Sequence, residues 1–339
     1  MQIINFSLPV LFLINLFFSI SVQKKQQEAY FITGNAQGTT YNITYFKNRE
    51  AVTKNQVDSI LNKIDSSLSL YKSYSLINRF NNSSSGCEVD DHFLKVIKKS
   101  IETNIQTEGI FDITVKPLTQ AWGNGVNTVD NIPDAAHILA LKKCIGSEML
   151  QIEKNRLQKT KACVQLDCNG IAQGYSVDVL ADFLEENKIE NYMVELGGEI
   201  KVKGKNQQEK QWTVGIEKPG DDADFLPVQH KIYLRKGAVT TSGNYRKFFT
   251  YGSKRYSHII NPVTGYPVDN GMISVTVIAK DAITADAYDN AFMVMGVKKS
   301  FAFLSDKKNM EAFFVYKRDD GVVCDTATTG FYRYMNSKN

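Results

Sequence analysis

Apolar residues recur along the chain at two spacings. Val57, Ile60, Leu61, Ile64 and Leu68 fall on one helical face, as do Phe93, Val96, Ile97 and Ile101. Thr40 to Tyr45 alternates as a half-buried strand does, and so do Trp212, Val214 and Ile216. Met149 to Gln165 reads as a hairpin turning at Asn155, with a second hairpin around Asp320-Gly321. One segment is sharper. Val164 to Leu166 predicts a strand, Asp167 to Gly170 a turn, and Ile171, Tyr175, Val179, Leu180, Phe183 and Leu184 one face of a helix. A strand from Tyr192 to Leu196 follows and stops at Gly197-Gly198, and another from Ile273 to Ala279 leads into a helix containing Thr284 to Ala291. Hairpins flanking a lone strand–helix–strand unit predict an α+β fold with mixed, largely antiparallel sheets and packed helices, not a doubly wound one. No internal repeat or long linker is visible after residue 30.

The N-terminus departs from this pattern. Residues 3–22 are almost wholly apolar, interrupted by Asn5, Ser7, Asn15 and Ser19. Ser19-Ile20-Ser21 places small residues at the spacing of a signal-peptidase site, so residues 1–21 read as a cleaved export signal. The alternative is an uncleaved anchor, because about twenty apolar residues also span a bilayer. Residues 22–36 then read as a short linker, and 37–339 as one domain. The remainder is ordinary: 43% hydrophobic and 22% charged residues exclude a disordered chain. Forty basic against 36 acidic side chains leave +4, too little for a nucleic-acid footprint. Cys87, Cys144, Cys163, Cys168 and Cys324 are odd in number and irregular in spacing, which predicts buried unpaired thiols, with a Cys163–Cys168 bridge open after export.

Four segments carry more polar and turn residues than a core needs. In Leu166 to Tyr175, Asp167 and Asn169 are placed to cap a helix, but Gly174 in its first turns costs about 1 kcal/mol relative to Ala and implies a close backbone or ligand approach. Unpaired N–H groups at such a helix start favour phosphate. Glu195 to Glu199 holds paired glycines after a strand, which permit a ligand near the main chain or simply a tight turn. Tyr256 to Gly265 builds a rigid turn from Asn-Pro and Thr-Gly, with His258 beside it as a candidate base or a mere neighbour. In Thr284 to Ala291, Asp286 and Asn290 are four apart on one helical face and both offer oxygen, the donor a hard cation prefers. The plain alternative is an Asp favoured by the helix dipole.

In their order along the chain, these segments and several others resemble the FAD:protein FMN transferases of the ApbE family, from about Gln37 to Tyr332. The matching pieces are Gly38 to Tyr41, Leu70-Tyr71 with Ser75 and Arg79 to Asn81, Gly109 to Leu118, and Trp122-Gly123. The Asp167 to Tyr175 turn, Glu195 to Gly198, Thr240 to Gly243, His258 to Gly265 and Ala285 to Ala287 complete the series. The resemblance implies a T-fold-related catalytic domain that cleaves the pyrophosphate of FAD with Mg²⁺. FMN is then joined to a Thr or Ser hydroxyl of a client protein, and AMP is released.

It further implies residue roles. Asp286, Asn290 and the Gly170 carbonyl would hold the metal, and His258 would take the proton from the incoming hydroxyl. Gln37, Tyr71, Ile110, Phe111, Asp112, Asp167, Gln173 and Ile259 would contact FAD. Clients would be acceptor subunits of membrane redox complexes, of quinone-reductase or electron-transport type, outside the cytoplasm. That agrees with export to the periplasm or anchoring at the outer side of the inner membrane. Three positions depart from the family pattern: Gln37 stands for the frequent Met, Gln173 for a charged Lys or Glu, and Asn290 for Thr. Asp325 to Gly330 superficially resembles a flavin-acceptor motif, but Phe331 follows where Ala-Thr is expected, so it reads as an ordinary terminal segment. Two other functions use the same residues: an FAD pyrophosphatase with water as acceptor, and an FAD-binding protein without turnover.

Overall fold

The structure, a computed structural model, describes residues 27–123, 132–220, 228–244, 248–251 and 254–336. The expected export segment therefore lies outside the described residues. The described residues begin with β1 (Glu28–Ala36) and β2 (Thr39–Lys47), paired along their whole length and joined at Gln37-Gly38, whose φ angles are 52° and 76°. Two positive φ values in a two-residue loop match the right-handed twist of a hairpin. Residues 28–36 are thus a strand where a linker was expected. In β1 only Ile32 is fully buried, so its sequence carries little of the alternation that marks a half-covered strand.

Helices α1 (Lys54–Leu68), α2 (Leu76–Asn82) and α3 (Asp91–Gln106) follow, with β3 (Gly86–Glu88) between the last two. Each helix opens on a side-chain cap: Thr53 in a reciprocal pair with Gln56, Ser75, and Asp90. Short helices α4 (Lys116–Ala121) and α5 (Ala135–Lys142) lead to the hairpin of β4 (Leu150–Glu153) and β5 (Arg156–Lys159), which β3 joins. Then come α6 (Ala172–Glu186), β6 (Tyr192–Leu196), β7 (Glu199–Lys203), and the hairpin of β8 (Trp212–Glu217) with β9 (Val228–Leu234). The chain continues through β10 (Lys236–Gly243), the hairpin of β11 (Phe248–Tyr251) with β12 (Lys254–Ser257), β13 (Met272–Ala279) and α7 (Ala282–Leu304). It ends with β14 (Glu311–Lys317), β15 (Val323–Ala327) and α8 (Tyr332–Met335).

Eight of these strands form the main sheet in the order β1-β2-β6-β7-β10-β13-β14-β15, antiparallel at every step. Alternation along the strands separates two cores. Val275, Val277, Ala312 and Phe314 face the helices, packing with Ala285, Tyr288 and Phe292 of α7. Val239, Ile278, Phe313 and Val315 face the other way, under the β8–β9 hairpin and Phe331. A third group joins Tyr41, Ile43 and Tyr45 of β2 to Val177, Leu180 and Leu184 of α6. The expected α+β class is observed.

Two expectations are corrected. Val164 to Leu166 is not a strand of a sheet; Gln165 makes a single parallel bridge to Val115, and the other edge of this stretch is occupied by a side chain rather than a strand. The disulfide joins Cys144 to Cys163, with Cα atoms 5.5 Å apart, and Cys168 remains a buried free thiol. The chain after α5 brings Cys144 to residue 163, where Lys161 Nζ also donates to the Lys143 carbonyl at 2.7 Å. Cys168 instead packs into the helix-side core at the turn into α6.

Closing a loop of sequence separation 19 stabilises a fold by roughly 3 kcal/mol. Cys144→Ser is therefore expected to lower the melting temperature of the oxidised protein by several degrees, and added reductant to lower the wild type similarly. A wild-type melt indifferent to reductant would show that the bridge does not form in solution.

Candidate functional site

Two helix N-termini meet beside the sheet, and each is capped by a carboxylate of the other. Asp178 of α6 accepts the N–H groups of Ala282 (3.0 Å) and Ile283 (2.8 Å), which open α7. Asp286 of α7 accepts the N–H of Gly174 at 2.8 Å, in the first turn of α6. The expected caps of α6, Asp167 and Asn169, do not act as such: Ile171 occupies the cap position without a side-chain bond, and Asp167 accepts the Asn169 N–H within the turn. α7 also has its own cap, Asp281, accepting from Thr284 at 3.0 Å. The crossing is close enough that a Cβ on Gly174 would lie 2.3 Å from the Ala282 carbonyl oxygen and 2.7 Å from Asp286 Cβ. This is the close approach that Gly174 implied in the sequence.

Beside this joint lies a cluster of oxygens. The Asn290 side-chain nitrogen is 3.0 Å from the Asp286 carbonyl, 3.4 Å from Asp286 Oδ1, 3.0 Å from Asp289 Oδ1 and 3.4 Å from the Gly170 carbonyl. Ser242, at the end of β10, donates to Asn290 Oδ1 at 3.3 Å. Asp286 and Asp289 are both buried. Burial pushes the Asp286 carboxyl up to about 7, and burial together with the Asp286 charge raises Asp289 well above the carboxylate range. Among the described residues no three His, Cys, Asp or Glu side chains are arranged to hold an ion. The oxygens gathered here are those of the Asp286 and Asp289 carboxylates and the Gly170 carbonyl, the kind a hard divalent cation takes; the Asn290 amide presents its nitrogen to them and its oxygen to Ser242, and adds an oxygen to the set only with the amide turned over.

The other expected residues are distributed over several elements. Gln37, at the tip of the β1–β2 hairpin, donates to Ser176 Oγ of α6 at 2.7 Å. Gln173, in the first turn of α6, reaches Gly197 in the turn after β6. Asp167 donates its N–H to the Ile113 carbonyl at 2.7 Å, and its carboxyl is raised by burial, against which the Asn169 N–H, Lys116 and Thr119 act. Phe111 is buried in the helix-side core and Ile110 packs against it. Tyr71, on the loop after α1, is 71% exposed. His258 is half-buried just after β12, and Ile259 beside it is buried. This turn is tied to α4 by Trp122 Nε1, which donates to the Gly265 carbonyl at 2.8 Å.

Asp112 differs from the rest. Its Oδ1 accepts from Thr114 N (2.8 Å), Thr114 Oγ1 (2.6 Å) and Ser147 Oγ (2.9 Å), and its Oδ2 from Asn104 Nδ2 (3.0 Å) and Ser147 N (3.1 Å). Five donors saturate the carboxylate, so the side chain fixes the 110–114 turn.

Sequence reasoning missed Asp178, Asp289 and Ser242. Asp178 lies one helical turn after Gly174, and Asp289 lies inside the Thr284 to Ala291 segment. Spacing was the available signal, but the partners of each are distant in sequence. Lys201 of β7, 2.7 Å from Asp178, is also held above its usual range: burial opposes its charge, and the Asp178 carboxylate outweighs that.

Comparison with known proteins points one way. The pattern of the ApbE family matches residues 37–314. A protein of Vibrio cholerae named FAD:protein FMN transferase is 38% identical over 305 residues, covering 88% of this chain and 90% of its own. A Haemophilus influenzae protein of the same name is 31% identical over 323 residues, covering 91% and 93%. Among solved structures, the flavin transferase ApbE of Vibrio cholerae superposes with a TM-score of 0.81 at 36% identity, covering 91% of this chain and 99% of its own. The apo flavinyl transferase ApbE of Pseudomonas stutzeri gives 0.81 at 31% identity, covering 93% and 99%.

Gly174→Ala tests the joint. In a free helix the change would stabilise by about 1 kcal/mol. Here the added methyl meets backbone and a buried carboxylate, and overpacking costs roughly 1–3 kcal/mol or more. The expected result is a lower melting temperature in thermal denaturation; a rise would mean that the helices are not in contact at this point.

Proposed function

The chain belongs to the ApbE family, and from this we propose that it transfers FMN from FAD to a Thr or Ser hydroxyl of an acceptor protein, with Mg²⁺, at the α6–α7 joint. The observation that carries the reading is the gathering of the Asp286, Asp289 and Gly170 oxygens around the Asn290 amide, beside two helix N-termini, the amide turning over to present its oxygen to a bound cation. Asp286, Asn290 and Gly170 would hold the cation, with Asp289 behind them. When bound there, a divalent ion would supply charge neutralisation for phosphate oxygens and the leaving group.

The chain's own residues position the reactants. Gln37, Gln173 and Asp167 line the turn into α6, whose N-terminal N–H groups favour phosphate. Tyr71, Ile110, Phe111, the main chain at Asp112 and Ile259 would contact the rest of FAD. His258 takes the proton from the acceptor hydroxyl as its oxygen attacks the FMN phosphorus. A new P–O bond forms to the acceptor, the bond to the bridging oxygen breaks, and that oxygen leaves on AMP. The catalytic work is therefore mainly placement and charge neutralisation.

We place the protein outside the cytoplasm, exported or anchored, with membrane redox subunits as its clients. The apolar N-terminal segment and the Cys144–Cys163 bridge support this, since disulfides persist in oxidising compartments.

Incubation with FAD, Mg²⁺ and a Thr-bearing acceptor fragment is expected to add one FMN to the fragment's intact mass and release AMP. FMN and AMP free in solution with an unmodified fragment would replace the transferase with a pyrophosphatase, and FAD bound but uncleaved would replace it with a carrier. Asp286→Asn keeps an oxygen for the Gly174 N–H but removes the charge. It is expected to melt within a few degrees of wild type yet lose AMP release by about two orders of magnitude or more. Chelation with EDTA should do the same, and unchanged turnover in either case would remove the cation from the mechanism.

A further inference from the structure

α2 is only seven residues long, yet two of its side chains hold main chain on both sides of the site. The Asn78 amide nitrogen donates to three carbonyls of one loop, those of Ser69 (3.4 Å), Leu70 (3.0 Å) and Lys72 (2.9 Å). That loop carries Tyr71. Asn81, three residues on, is buried and forms a matched pair with Leu166: its Oδ1 accepts the Leu166 N–H at 2.7 Å, and its Nδ2 donates to the Leu166 carbonyl at 3.0 Å. On the other edge of the same stretch, Gln165 bridges Val115 and Asp167 N donates to the Ile113 carbonyl. One asparagine side chain thus does for residues 165–167 what a neighbouring strand would do. Asp167 is the next residue, and Gly170 lies three further on.

We propose that α2 is a bracket and that Asn78 and Asn81 are positioning residues with separate targets. Asn78 sets the Tyr71 loop, and Asn81 sets the turn from Asp167 to Gly170. The inference rests on the flavin-transfer reading for what each loop does, but its structural half stands without it. A side chain that merely satisfied buried peptide groups would, when removed, lower stability and leave the surviving enzyme's parameters alike. A bracket makes the two losses different, because each asparagine governs its own loop.

The test compares Asn78→Ala, Asn81→Ala and Asn81→Asp with wild type, well below their melting temperatures. Amide hydrogen exchange reads the loops without turnover or cation. Asn78→Ala is expected to speed exchange in residues 69–74 and not in 167–171, and Asn81→Ala the reverse. With FAD and Mg²⁺, Asn78→Ala should raise the KM for FAD about tenfold with little change in kcat. Asn81→Ala should instead lower kcat about tenfold or more and raise the Mg²⁺ concentration for half-maximal AMP release, as small misplacements of reacting groups do. Asn81→Asp keeps the acceptor for the Leu166 N–H and should fall between. Exchange rising alike in both loops, or a loss of stability with unchanged exchange and kinetics, would overturn the bracket. If wild type releases no AMP, the flavin-transfer reading fails, while the exchange pattern still decides the bracket.

Discussion

The structure depends on two helices capping each other. The first N–H groups of an α-helix have no partner within it, and a carboxylate near them is favoured by the helix dipole. In α6 and α7 these needs are met in trans, Asp178 serving α7 and Asp286 serving α6. The exchange is possible only because Gly174 lets the helices touch at their starts. It has a chemical consequence. With Oδ2 held by Gly174, the remaining oxygen of Asp286 is turned toward Asn290 and the neighbouring Gly170 carbonyl. The contact that fixes the packing thus also sets the direction of the second Asp286 oxygen.

Two adjacent buried carboxylates are costly to keep charged, and the raised pKa directions of Asp286 and Asp289 express that. The fold offsets part of the cost with the Gly174 N–H, the Asn290 amide and the positive end of α6. Among the described residues no Lys or Arg is bonded to either carboxylate as Lys201 is bonded to Asp178. Burial raises both acidic groups of the joint, but Asp178 has Lys201 against it as an ion pair, and Asp286 sits in a setting that a divalent cation would relieve. The proposed metal role follows from this contrast more than from any count of ligands.

Much of this was legible in the chain. The helical faces of α1, α3 and α6, the β4–β5 and β14–β15 hairpins and the alternation of β2 and β8 are local patterns, and they form where the pattern puts them. Gly174 was legible for the same reason: a residue costly to a helix needs a cause. What was not legible depends on partners distant in sequence. Asp178 and Asp286 bond 104 and 112 positions away, and Asn81 bonds 85 positions away. Val164 to Leu166 has a strand's composition, but one of its edges meets a side chain, and composition does not distinguish a strand from a stretch paired with an asparagine. The Cys144–Cys163 pairing depends on where α5 ends, which spacing alone does not set.

The site's loops share a manner of construction. The 110–114 turn is held by the Asp112 carboxylate through five donors, the 69–72 loop by Asn78, the 166 stretch by Asn81 and the 258–265 turn by Trp122. In each case a side chain from a helix, from its end or from the loop itself bonds main-chain groups. Binding loops so held keep their own main-chain atoms at fixed positions without being strands or helices themselves. In the proposed reaction such loops would grip a long, jointed dinucleotide at many points and leave one phosphorus open to a protein hydroxyl. The order of these loops is thus placed in a few amide and carboxylate side chains, while the sheet and the α6–α7 joint supply the rigid frame.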